Sequence, residues 1–323
     1  MKLSRRVGVA AVAPMLLLSM AACGTTSSGD TKASDGVPHA AGSALSQVKT
    51  DPGAAKLVPA DIRKRGYITM AADLHYPPTS FLAADNKTPV GFNVDFADLL
   101  GKELGLKVQT KNVSFDSVIP GLAAGRYDFT ATDMTPTADR LKVLDMITYW
   151  SDGSSLMVTK GNPLHLSLAD LSTCGHKIAV MTGTTQQGTY LPEISKACQA
   201  AGKKTVDQVV LPNVQGALTQ LAAQRVDGVF YDTPSLAWAA KQQPQFQLLR
   251  PQYKKRGTDC TGSDTARSVC SQDIVALGVK KHSPLTPALH AAMEALMSGP
   301  AYQAVLDKWG LGAGAIPASK VLK

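Results

Sequence analysis

The sequence predicts an α/β fold with mainly parallel sheets, distributed over two lobes. From residue 61 onward, short apolar strands alternate with amphipathic helices, the pattern that lays helices against parallel strands. One frame also occurs twice. LAAGRYDFTATD ends at Asp133 and LAAQRVDGVFYD ends at Asp232, both headed by Leu-Ala-Ala-x-Arg-x-Asp, with the final Asp eleven residues after the leading Leu. Residues 61–323 are enough chain for two domains or one large one.

In order, YITMAA (67–72) reads as the first strand. NVDFADLLGKELG (93–105) puts Val94, Ala97, Leu100 and Leu104 on one helical face, with Gly105 as the stop. KVQTKNV is a strand, DSVIPGLAAG a short helix ending at Gly125, and YDFTAT the next strand. Thr135 then reads as the cap of a helix with Pro136 at its first position. KIAVMTG (177–183) is a strand that leads into a loop and helix over GTTQQGTYLPEISKACQ. Strand VDQVVL, helix VQGALTQLAAQ, strand VDGVFYD and helix TPSLAWAAKQ follow. DIVALGVKK (273–281) returns as a long apolar strand, and TPALHAAMEALM and AYQAVLDKW are the closing helices. The frame is therefore one helix–strand–turn–helix unit used twice, about a hundred residues apart. Ligands of open α/β sheets bind beyond the carboxyl ends of the strands, so the two units would aim Asp133 and Asp232 at a shared cleft.

The N-terminus predicts export. Lys2, Arg5 and Arg6 precede an apolar run, Val7–Met20, that Gly8 and Pro14 interrupt. The run falls short of the roughly 20 residues of a membrane span. With Ala21-Ala22 before Cys23, residues 1–23 read as a secretory signal. Residues 24–60 are rich in Gly, Ser, Thr, Ala and Pro and read as a flexible tether. The formal charge is +8, but the basic residues are scattered. Arg63-Lys64-Arg65 and Lys254-Lys255-Arg256 lack interleaved aromatics, so no nucleic-acid partner is expected. Beyond Cys23 the four cysteines favour disulfides in an exported chain. Three connectivities are possible, and the short spans favour Cys174–Cys198 with Cys260–Cys270. No Cys-x-x-Cys occurs and the six His are isolated, so no metal site is expected. GLGAGA (310–315) precedes no helix and is no dinucleotide fingerprint; with no P-loop and no Gly-x-Ser-x-Gly elbow, no cofactor is expected.

Six blocks in order carry a family resemblance. They are GYITMAADLHYPPTSF, VGFNVDFADLLGKELG, FDSVIPGLAAGRYDFTATDMTPTADR, SLADLSTCGHKIAVMTGTTQ, LAAQRVDGVFYDTP and ALGVKK…AYQAVLDKWG. Together they resemble the extracellular solute-binding proteins of ATP-driven (ABC) amino-acid importers, over nearly all of the chain after Asp61. LLLSMAAC likewise resembles the lipobox of bacterial lipoproteins, which implies lipidation at Cys23 and an anchor on the outer face of the cell membrane. The family resemblance implies a periplasmic-binding-protein-like fold of type II, two α/β lobes joined by two crossover strands near Ser151–Ser155 and Asp273–Ala276. Lobe one would span 61–153 plus 275–323, and lobe two 154–274. It also implies a monomeric carrier that closes on an amino acid and presents it to a membrane permease with a partner ATPase. The polar loop KKRGTDCTGSDTARSVC departs from the family and receives no role.

Chemistry and resemblance converge on the site. An amino-acid zwitterion needs an anion site and a cation site, and each buried charge needs a partner. Arg140 supplies a planar fork for a carboxylate, and the helix start at Pro136 with the Thr135 hydroxyl adds donors. In the family the matching Arg takes the ligand α-carboxylate; the structural alternative is a surface Arg paired with Asp139 or Asp145. Asp232 matches the α-ammonium acceptor, or else caps the helix beginning at Thr233. Thr185 and Gln186 match lobe-two donors to the carboxylate, with Thr184 as a helix cap. Asp73 matches a polar ligand contact, and Tyr76 and Phe115 match aromatics flanking the ligand side chain, or else core residues. Asp133 departs from the family, where Gly or Ser is common, and its alternative is a bond within its own turn. Against one Arg, the carboxylates of Asp73, Asp133 and Asp232 favour a cationic or polar amino acid. The rival functions are a dehydratase of the same fold, with Asp133 and Asp232 as an acid–base pair, and a sensory module that presents its ligand to a receptor.

Overall fold

Two mixed sheets carry the fold in the computed structural model, which describes residues 44–250, 252–253 and 273–323. Cys23, the signal segment, Cys260, Cys270 and the polar loop lie outside the described residues. Lobe one is built from α1 (Pro52–Lys56), α2 (Ala60–Arg65), β1 (Tyr67–Ala72), β2 (His75–Tyr76), β3 (Ser80–Leu82), β4 (Pro89–Val90) and α3 (Phe92–Leu104). It continues with β5 (Lys107–Asn112), α4 (Phe115–Ala123), β6 (Phe129–Met134), α5 (Ala138–Val143) and β7 (Leu144–Asp152). Lobe two holds β8 (Ser154–Thr159), β9 (Lys177–Met181), α6 (Leu191–Ala200), β10 (Asp207–Leu211), α7 (Val214–Ala222), β11 (Gly228–Asp232), α8 (Thr233–Gln242) and β12 (Phe246–Leu248). The chain returns to lobe one with β13 (Asp273–Lys280), α9 (Thr286–Ser298), α10 (Pro300–Lys308) and β14 (Val321–Leu322).

The sheets run β14-β7-β13-β6-β1-β5 and β10-β9-β11-β8-β12, with a small third sheet β2-β3-β4. The expectation of mainly parallel sheets is corrected. β1 pairs in parallel with β5 and β6, and β9 with β10 and β11. β13, however, runs antiparallel to β6 and β7, and β8 antiparallel to β11 and β12. The cause is the passage between lobes. β7 leaves the first sheet at Asp152, β8 enters the second at Ser154, and β13 comes back with Asp273 opposite Asp152. Gly153 sits at the switch, where a Cβ would meet the Gln252 amide at 2.6 Å.

The two repeat units fold alike. Leu122 and Leu221 are buried at the ends of α4 and α7, and three residues on the chain turns through left-handed backbone at Gly125 (φ 69) and Gln224 (φ 56). Asp128 then accepts the Thr69 amide of β1 at 2.6 Å, and Asp227 accepts the Lys177 amide of β9 at 2.9 Å. Each unit is thereby pinned to the strand that pairs in parallel with its own β6 or β11 before that strand begins.

Part of the segment read as tether is packed, which corrects that reading for residues 52–60. Asp51 accepts the Ala54 amide at 2.7 Å, Pro52 starts α1, and Ala54 and Val58 join the core of lobe one. A cap, a proline at the first helical position and two small apolar anchors suffice for one turn. That core is dominated by Phe92, Phe96, Tyr149 and Trp150; lobe two is filled by Leu156, Ile178, Phe230 and Tyr253. Each such side chain contributes about 1.5–3 kcal/mol by leaving water. A third cluster runs through both lobes, joining Tyr76 and Phe115 to Met181 and Tyr231, so the lobes are closed on each other. At another lobe contact, the Phe81 ring of β3 lies 6.1 Å from Trp238 of α8 and 5.9 Å from Trp309 beyond α10. A Cys174–Cys198 disulfide, with Cα atoms 5.6 Å apart, ties the approach to β9 to α6.

Candidate functional site

Where β6 and β11 end, a small, tightly closed pocket lies between the lobes. Phe115, Asp133, Thr135 and Arg140 line it from lobe one, and Thr184, Thr185, Gln186, Tyr231 and Asp232 from lobe two.

Arg140 is buried on α5, and it pairs with neither of its candidate surface partners. Asp139 binds Lys142 at 2.6 Å and Asp145 faces Lys281 at 3.5 Å. The guanidinium instead donates to the Thr135 carbonyl at 2.8 Å and, across the lobes, to the Gly183 carbonyl at 3.0 Å, and lies 5.6 Å above the Phe115 ring. Among the described residues no carboxylate reaches within 4.0 Å of it. Burial lowers its pKa to about 10, with Asp232 pulling the other way. A buried cation served only by carbonyls and a ring is a standing acceptor for an anion.

The start of α5 differs from expectation. Thr137, not Thr135, is the cap: its side chain accepts the Arg140 amide at 3.3 Å, and the helix begins at Ala138. The Thr135 carbonyl is taken by Thr137 N and by Arg140, which explains the late start. The six-residue helix therefore supplies its arginine to the site rather than a helix terminus at Pro136.

Asp133 lines the cavity in left-handed backbone (φ 53), a conformation Asp tolerates better than most residues. Its Oδ1 accepts the Asn93 amide at 3.0 Å, with the Tyr149 hydroxyl at 3.5 Å. Burial raises its pKa to about 6, against the opposing bonds from Thr79, Asn93 and Tyr149. Its partners thus lie outside its own turn.

Asp232 ends β11 and starts α8, yet its side chain makes no capping bond. Its Oδ1 accepts the Gln186 amide at 2.6 Å, and the same amide donates to Ser154 Oγ at 2.8 Å. Gln186 therefore orients Asp232, with its NH2 group engaged, which changes its expected role as a direct donor to a ligand. Thr184 Oγ accepts the Gln187 amide at 3.2 Å as a cap and also lines the cavity, beside buried Thr185.

Asp73 and Tyr76 do not line the cavity. Asp73 accepts the Phe115 amide at 2.9 Å, so it caps α4, and its other oxygen meets His75 at 2.5 Å. Tyr76 packs its ring 5.5 Å from Tyr231, and its hydroxyl meets Met181. Both therefore support the wall behind Phe115 and Tyr231. The sequence reading missed Tyr231, Asn93 and Tyr149; Tyr231 stands beside Asp232 in the repeat, while Asn93 and Tyr149 carry no pattern of their own. Among the described residues no group of three His, Cys, Asp or Glu is arranged to hold a metal.

The sequence pattern of the bacterial extracellular solute-binding proteins, family 3, matches residues 68–312. The arginine-binding protein ArgT of Corynebacterium glutamicum is 23% identical over 259 residues, covering 80% of this chain and 79% of the relative. The ABC transporter arginine-binding protein 1 of Escherichia coli is 28% identical over 248 residues, covering 75% and 90%. Among solved structures, an ancestral arginine-binding protein bound to arginine superposes with a TM-score of 0.64 at 26% identity, covering 76% of this chain and 99% of that one. An ancestral amino-acid-binding protein, a precursor of cyclohexadienyl dehydratase, gives 0.61 at 25% identity, covering 77% and 97%. The fold is the two-lobed α/β architecture of type II periplasmic binding proteins. With that pattern matched over most of its length, the chain belongs to the bacterial extracellular solute-binding proteins of family 3.

Proposed function

We propose that this chain captures a cationic or polar amino acid outside the cell, arginine foremost, and delivers it to the permease of an ABC importer. The observation that carries the reading is buried Arg140, with no carboxylate of the described residues at contact distance, facing a cavity that also receives Asp133 and Asp232. The ligand carboxylate takes the Arg140 fork, its ammonium meets Asp232 as Gln186 presents it, and a further positive charge meets Asp133. Lobe one binds first, through Arg140 and Phe115; the lobe-two contacts at Thr185 and Asp232 then favour closure. Only contacts that differ between open and closed forms can shift that balance. Relatives named for arginine binding, and an ancestral relative solved with glutamine, support this ligand range. The same reading has a monomeric carrier, anchored at a lipidated Cys23, docking on a permease driven by a partner ATPase. A thermal-shift panel of amino acids, with ornithine and citrulline included, tests it. A ligand at 100 times its dissociation constant adds about 2.7 kcal/mol, a readily measured rise in melting temperature. The expected responders are arginine, lysine and ornithine; silence from every amino acid would overturn the reading. The carboxyl of Asp133, raised to about 6, also suits a proton-transfer reaction of dehydratase type. Product formation from arogenate or prephenate would favour that second reading.

A further inference from the structure

We propose that Asn93 is a selectivity-positioning residue: from behind the cavity wall it holds the Asp133 carboxylate in place, and so sets how strongly the site prefers a cationic ligand over a neutral one of the same shape. The inference rests on the reading of Asp133 as the group that meets the ligand's extra positive charge.

Asn93 is wholly buried on the first turn of α3. It is brought there by a close backbone approach: Gly91 (φ 126) packs so tightly on the segment before β3 that a Cβ would meet the Thr79 carbonyl at 2.5 Å. Its amide nitrogen donates to Ser80 Oγ and to Asp133 Oδ1, both at 3.0 Å, and its oxygen accepts the Tyr149 hydroxyl at 2.7 Å. Tyr149 is in turn fixed by its ring, 4.9 Å from Phe96 and stacked at 6.0 Å on Phe92. The amide therefore has one satisfied orientation, since the reverse would set an N–H against the Tyr149 proton donor's position and leave Asp133 facing a carbonyl. Of this network only Asp133 lines the cavity. The groups facing Asp133 from its own side, Asn93, Tyr149 and the Thr79 hydroxyl, are all uncharged donors. The charged groups sharing the cavity are Arg140, on the same lobe, and Asp232, which with Tyr231 lines it from the other lobe. A carboxylate held by neutral donors keeps its charge available to the ligand, and a hydrogen bond to an ionised acceptor is about twice as strong as a neutral one.

Titration calorimetry with arginine and its neutral isostere citrulline reads the effect as a ratio of affinities, which a general loss of stability leaves unchanged. Asp133→Asn is expected to narrow the wild-type ratio by about tenfold or more. Asn93→Leu should narrow it about fivefold, Tyr149→Phe about twofold, and the double variant Asp133→Asn/Asn93→Leu no further than Asp133→Asn alone. If Asp133→Asn narrows the ratio while Asn93→Leu and Tyr149→Phe keep the wild-type value, the inference fails and the cationic reading stands. If Asp133→Asn itself leaves the ratio untouched, that reading fails and takes the inference with it. Additive narrowing in the double variant would mean that Asn93 acts by another route, which also overturns it. Should Asn93→Leu not fold, Tyr149→Phe decides alone, because Phe preserves the ring packing.

Discussion

Asp128 and Asp227 occupy the same post in the two lobes, each accepting a backbone amide from the strand that pairs in parallel with the one it leads into. Five residues on, Asp133 and Asp232 occupy the same post again, each accepting a side-chain amide, but from different elements and on different backbone. Asp133 sits in left-handed backbone and is held from within lobe one by Asn93 and Tyr149. Asp232 is extended (φ −60, ψ 132) and is held by Gln186, which follows the neighbouring strand. The lesson is that a repeated frame fixes where a chain places a side chain, while the residues outside the frame decide what that side chain can do.

The largest expected effect exploits the sharpest asymmetry. Seven residues past Asp133 stands Arg140, and seven past Asp232 stands Ala239, so the anion site belongs to one unit only. Arg140→Ala should weaken every amino-acid ligand by on the order of 100-fold or more, as expected for a buried charge losing its partner at about 3–5 kcal/mol. Calorimetry beside an unchanged circular dichroism spectrum checks this; affinity kept within about tenfold would remove Arg140 from the site. Next, Asp232→Asn should cost about 2–5 kcal/mol for cationic and neutral amino acids alike. A loss confined to cationic ligands would reverse the assignment of the two terminal aspartates.

The shared posts should respond in stability alone. Asp128 also accepts the Thr69 hydroxyl at 2.7 Å and pairs with Arg65 at 2.6 Å, whereas Asp227 adds His176 at 3.1 Å. Asp128→Ala should therefore cost more than Asp227→Ala, each in the range of about 1–3 kcal/mol by urea denaturation. The opposite order would show that the added Thr69 and Arg65 contacts do not strengthen the Asp128 pin. The smallest test concerns the turns. No atom lies within 4 Å of a Cβ added at Gly125, so Gly125→Ala reports backbone strain only and should lose about 1 kcal/mol. Gln224→Gly, at the matching left-handed turn, should gain up to about 1 kcal/mol, and a loss there would count against strain at that position.

Much of this was legible in the sequence because the signals were local. The strand at 67–72 and the helix at 233–242 fall where composition and caps put them. Asp133, Thr135, Arg140, Thr185, Gln186 and Asp232 line one pocket because strand ends in an α/β fold converge in space, and Phe115, marked by the family resemblance, lines it with them. What escaped depended on competition between equivalent signals or on distant partners. Thr135 read as the cap, but its carbonyl is taken by Arg140 and the cap bond is made two residues later, at Thr137. Asp73 ends its strand as a ligand contact would, but the α4 amide of Phe115 takes it. The short helix at 52–56 was hidden by a composition typical of linkers, although Asp51-Pro52 carried the start signal. Asn93 and Tyr149 are separated by 56 residues and meet only in the packed core.

The chain holds three tryptophans, and their settings differ. Trp150 is sealed in the lobe-one core, and Trp309 is tied by its indole N–H to Asp95 at 2.7 Å. Trp238 belongs to lobe two and meets Phe81 of lobe one. Parting of the lobes would carry Trp238 alone away from that ring and into water, shifting its emission to longer wavelength while the other two hold steady. The molecule thus has its own optical gauge, with two reference lamps and one moving one, and its opening can be timed in stopped flow without a label.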